Sequence, residues 1–337
     1  MGFSNLIIPE ELIAFYPEPK RDKCKLFCVN KTDGKFSHLV FSDVINLFKK
    51  DDLLIFNDTK VINARLHATK ETGGMVEILL LRALSANNWQ CLLKGKKIRQ
   101  GSKLKINNSD VVVQVIKIDS GYYEIEFSDT INVYELLDKL GEIPLPPYIR
   151  REPVPSDYEM YQTVFAKRKG SVASPTASLH FTNDLIEQIK AKGVEVKFVT
   201  LHVGYGTFSP VRDPQTHVMH EEFFCVDKSV EEAVKKCKKE GGRVWAVGTT
   251  VVRTLETAFD SDGSLSKTTG WSALFIRDPY KFKVVDCMIT NFHHPTTSLM
   301  YLVSAFAGED NIISAYKEAV DKKYRMLSYG DSMAIIC

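Results

Sequence analysis

The sequence has no Cys-x-x-Cys pair, no apolar run of membrane-spanning length and no excess of charge of one sign. Each absence removes a class of protein. The seven cysteines (Cys24, Cys28, Cys91, Cys225, Cys237, Cys287, Cys337) are odd in number and scattered, so neither a disulfide framework nor a structural zinc site is expected. A reduced, cytoplasmic setting follows as the expectation. Without about 20 consecutive apolar residues no segment is expected to span a bilayer, and no membrane partner is expected. The N-terminal MGFSNLIIPEEL lacks the basic region, apolar stretch and cleavage site of a signal peptide, and Gly2 alone is a poor basis for myristoylation. Internal repeats and low-complexity segments are also missing. A formal net charge of +2 does not mark a nucleic-acid binder in bulk.

What is present is a globular composition, 44% hydrophobic and 26% charged over 337 residues, enough for one large domain or two ordinary ones. Basic residues cluster locally. Lys94, Lys96, Lys97, Arg99, Lys103 and Lys105 fall in twelve residues without an acidic one, and Arg150-Arg151 and Lys167-Arg168-Lys169 add two more patches. Singly these read as solvated loops; together they suit a phosphate-facing surface.

The hydrophobic pattern changes along the chain. CKLFCVN (24–30) and LLIF (53–56) are strand-like, and DVINLFKK (43–50) is helix-like. VINARLHATK, VEILLLRAL, WQCLLKG, KLKI, VVVQVIKI and YYEIEF are then six short β-rich runs separated by turn residues, the pattern of a small antiparallel barrel. Five prolines in 141–157 mark the return connection. Beyond them, helices are expected at 182–192, 228–240, 250–259, 297–307 and 310–323, alternating at first with strands at 194–203, 243–248 and 284–290. This is the pattern of an α/β layer with a mainly parallel sheet. The expected architecture is a discontinuous α/β domain (1–60 and 151–337) carrying an inserted β-barrel domain (61–150).

Open α/β sheets bind ligands beyond the carboxyl ends of their strands, and polar clusters fall at such ends here. VTLHVGYGTF puts His202 before the glycine pair Gly204 and Gly206. The third glycine of a dinucleotide fingerprint is replaced by Ser209 and no helix-forming run follows at once, so a nicotinamide site is not expected. In VWAVGTTVVRTLET, Thr249 and Thr250 open a helix whose first amides can hold an anionic group, while Arg253 and Glu256 either pair at i, i+3 or contact a ligand. In His217-Val-Met-His220-Glu-Glu222, helical geometry would bring the two histidines together and extended geometry would bring His220 and Glu222 together. Neither gives three converging ligands, so no metal is expected, and the pair reads as an oriented acid/base, a substrate clamp or a buried hydrogen bond. DCMITNFHHP ends a strand at Asn291 and His293, where an amide suits a nucleobase edge. VASPTASLH offers Thr176 and His180, and YRMLSYGDSM offers Arg325 and Asp331.

These segments resemble, in order and spacing, the signatures of the S-adenosylmethionine:tRNA ribosyltransferase-isomerase family of queuosine biosynthesis. They are DLLIFNDTKVINARL, GEIPLPPYI, VASPTASLHFT, VTLHVGYGTFSPV, HVMHEEFF, VWAVGTTVVRTLET, FKVVDCMITNFHHP, LVSAFAG and YRMLSYGDSMAII, covering essentially the whole chain. The resemblance implies an α/β domain with an inserted barrel. It also implies transfer and isomerisation of the ribosyl part of S-adenosylmethionine onto 7-aminomethyl-7-deazaguanine at the tRNA wobble position. Epoxyqueuosine-tRNA forms and adenine and methionine leave. S-adenosylmethionine is then a co-substrate and no cofactor is required. The candidates for proton transfer become His180, His202, His220, Glu222, His293 and Asp331. Those for substrate binding become Thr176, Gly204, Gly206, Thr249, Thr250, Arg253, Glu256, Asn291 and Arg325. Lys94, Lys96, Lys97, Arg99, Arg150, Arg151, Lys167 and Arg168 are the candidates for tRNA contact, on a monomer. Three departures from the family pattern stand out: His294-Pro295-Thr296 where a cation usually follows Leu-Pro, Ser174 and Ser178 where Ala and Gly are usual, and Arg277-Asp278-Pro279 in place of Tyr-Pro-Gly. A metal-dependent hydrolase built on His217, His220 and Glu222, and a non-catalytic RNA-binding protein, are the rival readings.

Overall fold

Leu53–Asn57, Val244–Val247 and Cys287–Asn291 are buried at every position, as strands covered on both faces must be. In the computed structural model, which describes residues 3, 6–119 and 121–337, they form the centre of a nine-stranded sheet. Gly2 lies outside the described residues. Glu195–Leu201, Leu53–Asn57, Val244–Val247 and Cys287–Asn291 run parallel. Ser332–Ile336 follows, antiparallel to Cys287–Asn291 but parallel to Lys25–Asn30. Antiparallel strands flank this middle: Phe36–Val40 on one side, Glu222–Val226 and Thr269–Ser272 on the other.

Helices cover both faces. On one side Val230, Val234, Val252, Leu255, Leu302 and Ile312, from the four helices between Lys228 and Asp321, pack on the sheet. On the other side Leu185, Ile186 and Ile189 of the Asn183–Ala191 helix pack with Phe41 and Val44. The segment 43–50, expected to be a helix, instead follows and overlaps a run of tight 3-10 turns over Phe41–Leu47. The strand Ser332–Ile336 was not expected. It is as apolar as its neighbours but follows a glycine turn at a chain end, where periodicity gives little signal.

The six runs between the first α/β segment and the prolines close into a barrel of strands Arg65–Lys70, Met75–Ala83, Asn88–Lys94, Lys103–Ile106, Val112–Asp119 and Tyr122–Glu126. Alternate side chains fill it, among them Leu66, Ile78, Cys91, Leu104, Val113 and Ile125. This period-two pattern is what a pleated strand with one buried face imposes. A short helix, Val133–Leu140, capped by the Asn132 side chain, plugs it with Val133, Leu136 and Leu137.

Barrel and layer meet at specific contacts. The Gln162 amide bonds both backbone groups of Val61 (3.0 and 2.8 Å), at the start of the barrel segment. The Arg82 guanidinium lies 3.6 Å from the ring centroid of Trp271. Inside the layer, Asp52 is 1% exposed and accepts from the Lys49 amide, the Arg243 amide and guanidinium, and the Trp245 indole N–H. That carboxylate fastens the entry of two adjacent parallel strands. Asp52→Ala leaves a half-buried guanidinium and a buried indole N–H without their partner, and the expected loss is about 3–5 kcal/mol of stability by urea unfolding. A change below about 1 kcal/mol would show that the network is dispensable.

Candidate functional site

A cavity of about 330 Å³ opens at the carboxyl ends of the central strands. Gly248 ends Val244–Val247, Asn291 ends Cys287–Asn291, and Val203 follows Glu195–Leu201; all three line it. The segment from Ala173 to Ala177 makes one wall, and Tyr148, Phe292, Leu327 and Ser328 close another. Among the described residues, no Asp, Glu, Lys or Arg lines it.

The cavity gathers polar atoms that the protein leaves unsatisfied. Ser174 Oγ, Thr250 Oγ1 and Asn291 Nδ2 are buried without a protein partner. Asn291 Oδ1 accepts from Thr176 Oγ1 at 2.8 Å, an arrangement that assigns the amide and turns its N–H₂ group free. The ten-residue helix Thr249–Ala258 starts here. Gly248, at φ 94°, is its N-cap and has no side chain to cap the first turn. Unpaired hydroxyls, an amide N–H₂ and a bare helix N-terminus make a site for an anionic group with donors to spare.

His293 also lines the cavity. Its Nε2 lies 2.7 Å from Thr290 Oγ1, and Tyr316 bonds its main chain. Burial pushes its pKa down to about 3, so the ring is neutral at ordinary pH. His294 Nδ1 is held by Thr296 Oγ1 at 2.9 Å.

A smaller pocket of about 160 Å³ adjoins it, with Val203 common to both. The layer supplies Gly170, His202, Gly204 and Trp271, and the barrel supplies Arg82 and Trp89. His202 Nδ1 is 2.8 Å from Thr59 Oγ1, and its ring stacks on Phe223. Gly170 has φ 147°, and a Cβ there would come within 2.7 Å of His202 Nε2, so only glycine admits the ring. Burial, partly offset by Asp58, lowers the pKa of His202.

Of the residues singled out from the sequence, Thr176, Thr249, Thr250, Asn291 and His293 thus share one cavity, while His202, Gly204 and Glu222 line the next. Others have structural partners instead. Glu222 does not pair with His220. It is 4% exposed and binds the Arg253 guanidinium, the Gly204 amide (2.8 Å) and the Thr207 hydroxyl (3.0 Å). Arg253 therefore does not pair with Glu256, and its remaining donors go to the Ser272 and Leu274 carbonyls. Glu256 accepts from the amides of Lys283, Val284 and Val285 and from the Tyr280 hydroxyl. His220 packs near Tyr122, against Gly206, where a Cβ would sit 2.2 Å from the imidazole. His217 lies against Phe275. Among the described residues, no three His, Cys, Asp or Glu side chains are grouped as metal ligands.

His180 points away from the cavity into the layer beside Phe41, with Nδ1 3.1 Å from Cys24 Sγ, and burial lowers its pKa to about 4. Asp331 accepts from the Lys25 and Arg325 amides, both at 2.8 Å, and braces the backbone. The Arg325 guanidinium goes to the Tyr16 carbonyl and Glu18. Lys94, Lys96, Lys97, Arg99, Arg150 and Lys167 are exposed. Arg151 is spent on Asp157 and the face of Tyr16, and Arg168 lies 3.8 Å from Asp58. Tyr148, Thr290 and the Ser174 hydroxyl are lining groups that the sequence did not single out as binding residues. The signals were an aromatic inside a proline-rich return and a serine at a family alanine position.

The description "Queuosine biosynthesis protein" belongs to the family model that matches residues 5–335. The S-adenosylmethionine:tRNA ribosyltransferase-isomerase of Thermoanaerobacter sp. (strain X514) is 46% identical over 98% of this chain and 97% of its own. The protein of the same name from Caldanaerobacter subterraneus subsp. tengcongensis is 45% identical over the same shares. The crystal structure of an S-adenosylmethionine tRNA ribosyltransferase from Thermotoga maritima matches with TM-score 0.56 at 33% identity, covering 98% of both chains.

The two buried histidines predict a pH effect on stability. His180 and His293 have folded values near 4 and 3 against an unfolded value of 6.5. Between these limits the unfolded chain binds more protons, so stability is complete above about pH 6.5 and is lost as pH falls toward the folded values. The urea midpoint should drop from pH 7 to pH 5, with a shallower drop in His180→Gln. An unchanged slope in that variant would remove His180 from the account.

Proposed function

The chain belongs to the queuosine biosynthesis protein family, and on that premise we infer that it is an S-adenosylmethionine:tRNA ribosyltransferase-isomerase. It moves and isomerises the ribosyl part of S-adenosylmethionine onto tRNA. The acceptor is the aminomethyl group of 7-aminomethyl-7-deazaguanine at the wobble position, and adenine and methionine leave as epoxyqueuosine-tRNA forms. The observation that carries the placement of the donor is the convergence of Ser174, Thr250 and Asn291, all unsatisfied, at an uncapped helix N-terminus.

S-adenosylmethionine occupies this cavity with its methionyl carboxylate at the start of the Thr249–Ala258 helix, where Thr250, Ser174 and the Asn291 N–H₂ donate to it. Among the described lining residues there is no side-chain cation to repel the sulfonium. Thr296, where the family usually has a cation, lines the same cavity, and the helix N-terminus supplies the missing positive potential. The sulfonium makes the adjacent 5′ hydrogens acidic. His293, neutral through burial, holds the adenosyl part by hydrogen bonds. His202 stands across Val203 and takes the proton of the acceptor amine, which must attack uncharged. Its partner Thr59 fixes the ring. The inserted domain, 61–150, presents Lys94, Lys96, Lys97 and Arg99 to the tRNA backbone, with Arg150 and Lys167 beside the seam. A monomer in the reduced cytoplasm completes the reading.

Incubation with S-adenosylmethionine and tRNA carrying 7-aminomethyl-7-deazaguanine should release adenine and convert the wobble nucleoside, as mass spectrometry would record. Asn291→Ala should raise KM for S-adenosylmethionine about 10- to 100-fold, the loss of one or two hydrogen bonds to a charged group. Binding of tRNA without adenine release would favour a non-catalytic RNA-binding protein. Stoichiometric zinc in the active protein would favour a hydrolase.

Affinity for tRNA should fall roughly 10²- to 10³-fold between about 50 and 200 mM salt if about five phosphates are contacted. Neutralising Lys96, Lys97 and Arg99 together should weaken tRNA binding and reduce that slope while S-adenosylmethionine binding is kept. A flat salt response would remove the basic surface from the account.

A further inference from the structure

The pocket across Val203 carries an anomaly of its own. Trp89 is 2% exposed inside the barrel, and its indole N–H has no partner. Arg82 Nε is likewise buried and unpaired. Both residues line the same 160 Å³ space, at the seam of barrel and layer. Leaving two buried donors unmade is costly, so their convergence on one space points to an acceptor atom supplied from outside.

The rest of the lining narrows the ligand. Trp271 is 42% exposed although large and apolar, and the Arg82 guanidinium carbon lies 3.6 Å from its ring centroid. That contact fixes where the guanidinium sits in the pocket. Glu221 lines the pocket and is exposed, while the oxygens of its neighbour Glu222 are already occupied by Arg253, Gly204 and Thr207. The pocket therefore offers two unpaired N–H donors and one open carboxylate, beside a Lys169 ammonium already paired with Asp138, in the volume of a single planar heterocycle. A guanine-type Watson–Crick edge is its complement, with a carbonyl oxygen beside a ring N–H and an exocyclic amine. An adenine-type edge, an amine beside a bare ring nitrogen, would set that nitrogen against the carboxylate.

We propose that this seam pocket seats the extruded wobble base, with Glu221 accepting from its ring N–H and 2-amino group and Trp89 and Arg82 donating to its carbonyl oxygen. The inference rests on the ribosyl-transfer reading for the identity of the base. With the Watson–Crick edge held by Glu221, the 7-aminomethyl group on another edge of the ring is left for His202 and the donor cavity behind Val203. The barrel then does more than bind phosphates: it reads the base through Arg82 and Trp89. Extruding a base costs unstacking, which these hydrogen bonds offset.

Equilibrium binding of two anticodon stem-loops tests this. One carries 7-aminomethyl-7-deazaguanine, and the other carries the matching hypoxanthine analogue without the 2-amino group. The wild-type protein should prefer the first by about tenfold or more, the discrimination expected when a carboxylate loses one partner of a bidentate pair. Glu221→Ala should bring the two within about twofold and leave S-adenosylmethionine affinity unchanged. Arg82→Met should weaken both stem-loops alike, because both keep the carbonyl oxygen. Equal wild-type affinity for the two, or a preference that survives in Glu221→Ala, overturns the proposal. Adenine release is scored separately. Discrimination through Glu221 without adenine release would sink the ribosyl-transfer reading and keep the base pocket, whereas adenine release with discrimination indifferent to Glu221 would do the reverse.

Discussion

One buried carboxylate holds the two pockets in register. Glu222 joins the strand Glu222–Val226 to the helix Thr249–Ala258 through Arg253, and to the turn after Glu195–Leu201 through the Gly204 amide and Thr207. Arg253 in turn fixes the chain beyond Trp271 by bonding the Ser272 and Leu274 carbonyls. Such a pair is poor grounds for claiming net stability, because desolvation consumes most of the Coulombic gain. Its effect is geometric. With both charges buried and every remaining donor matched, there is one arrangement in which none is stranded. That arrangement sets Val203 and Gly204 between the donor cavity and the seam pocket, and places Thr249 and Thr250 at the helix start. Glu222 and Arg253 thus shape the larger cavity without being among its lining residues.

Keeping charge behind the wall suits the chemistry. S-adenosylmethionine brings its own reactivity in the sulfonium, so the protein has little to supply except position and a dry setting. A lysine in the cavity would repel the sulfonium, and an unpaired carboxylate would hold it too tightly in the ground state. The cavity uses dipoles instead: hydroxyls, an amide, a helix N-terminus and a neutral imidazole. The Ser174 departure from the family pattern fits this economy, since it adds a buried hydroxyl facing the site. Ser178 is different. Its hydroxyl is buried without a partner and is not among the cavity-lining groups, and nothing in the structure explains it.

The architecture was largely legible because periodicity is local. Six β-rich runs became six barrel strands, and the alternating pattern after Tyr161 became an α/β layer, since burial on one face or both leaves its mark at every second residue or at all of them. The site was less legible. Thr249, Asn291 and His293 were reachable because they end central strands, where topology aims them at one crevice. Glu256, Asp331, Arg325 and His180 sat in motifs just as suggestive, yet each has its partner in the fold: three strand-leading amides for Glu256, two backbone amides for Asp331, a carbonyl for Arg325 and a thiol for His180. A sequence records that a polar residue is present and not whether a distant backbone group already satisfies it. Trp89 and Arg82 were invisible for the opposite reason. Inside a barrel strand they read as ordinary alternation, and only the missing partners of their N–H groups distinguish them.

The placement of the barrel as an insertion follows from the same geometry. The strand ends of the layer build the larger cavity, but the seam pocket also takes Arg82, Trp89 and Tyr134 from the inserted segment. The outgoing barrel-to-layer crossing lies close to this seam: the segment leaves after the Thr59–Val61 strand, which pairs with Arg168–Ser171, and Thr59 itself orients His202. Backbone pairing at that point ties the barrel's exit to the histidine beside the pocket. A tRNA held by phosphates on the barrel is therefore held relative to His202, Val203 and the donor behind them. Phosphate contacts supply register without reading sequence. On the proposed reading discrimination comes from the few groups that touch the base, and the unpaired N–H groups of Trp89 and Arg82 are among them.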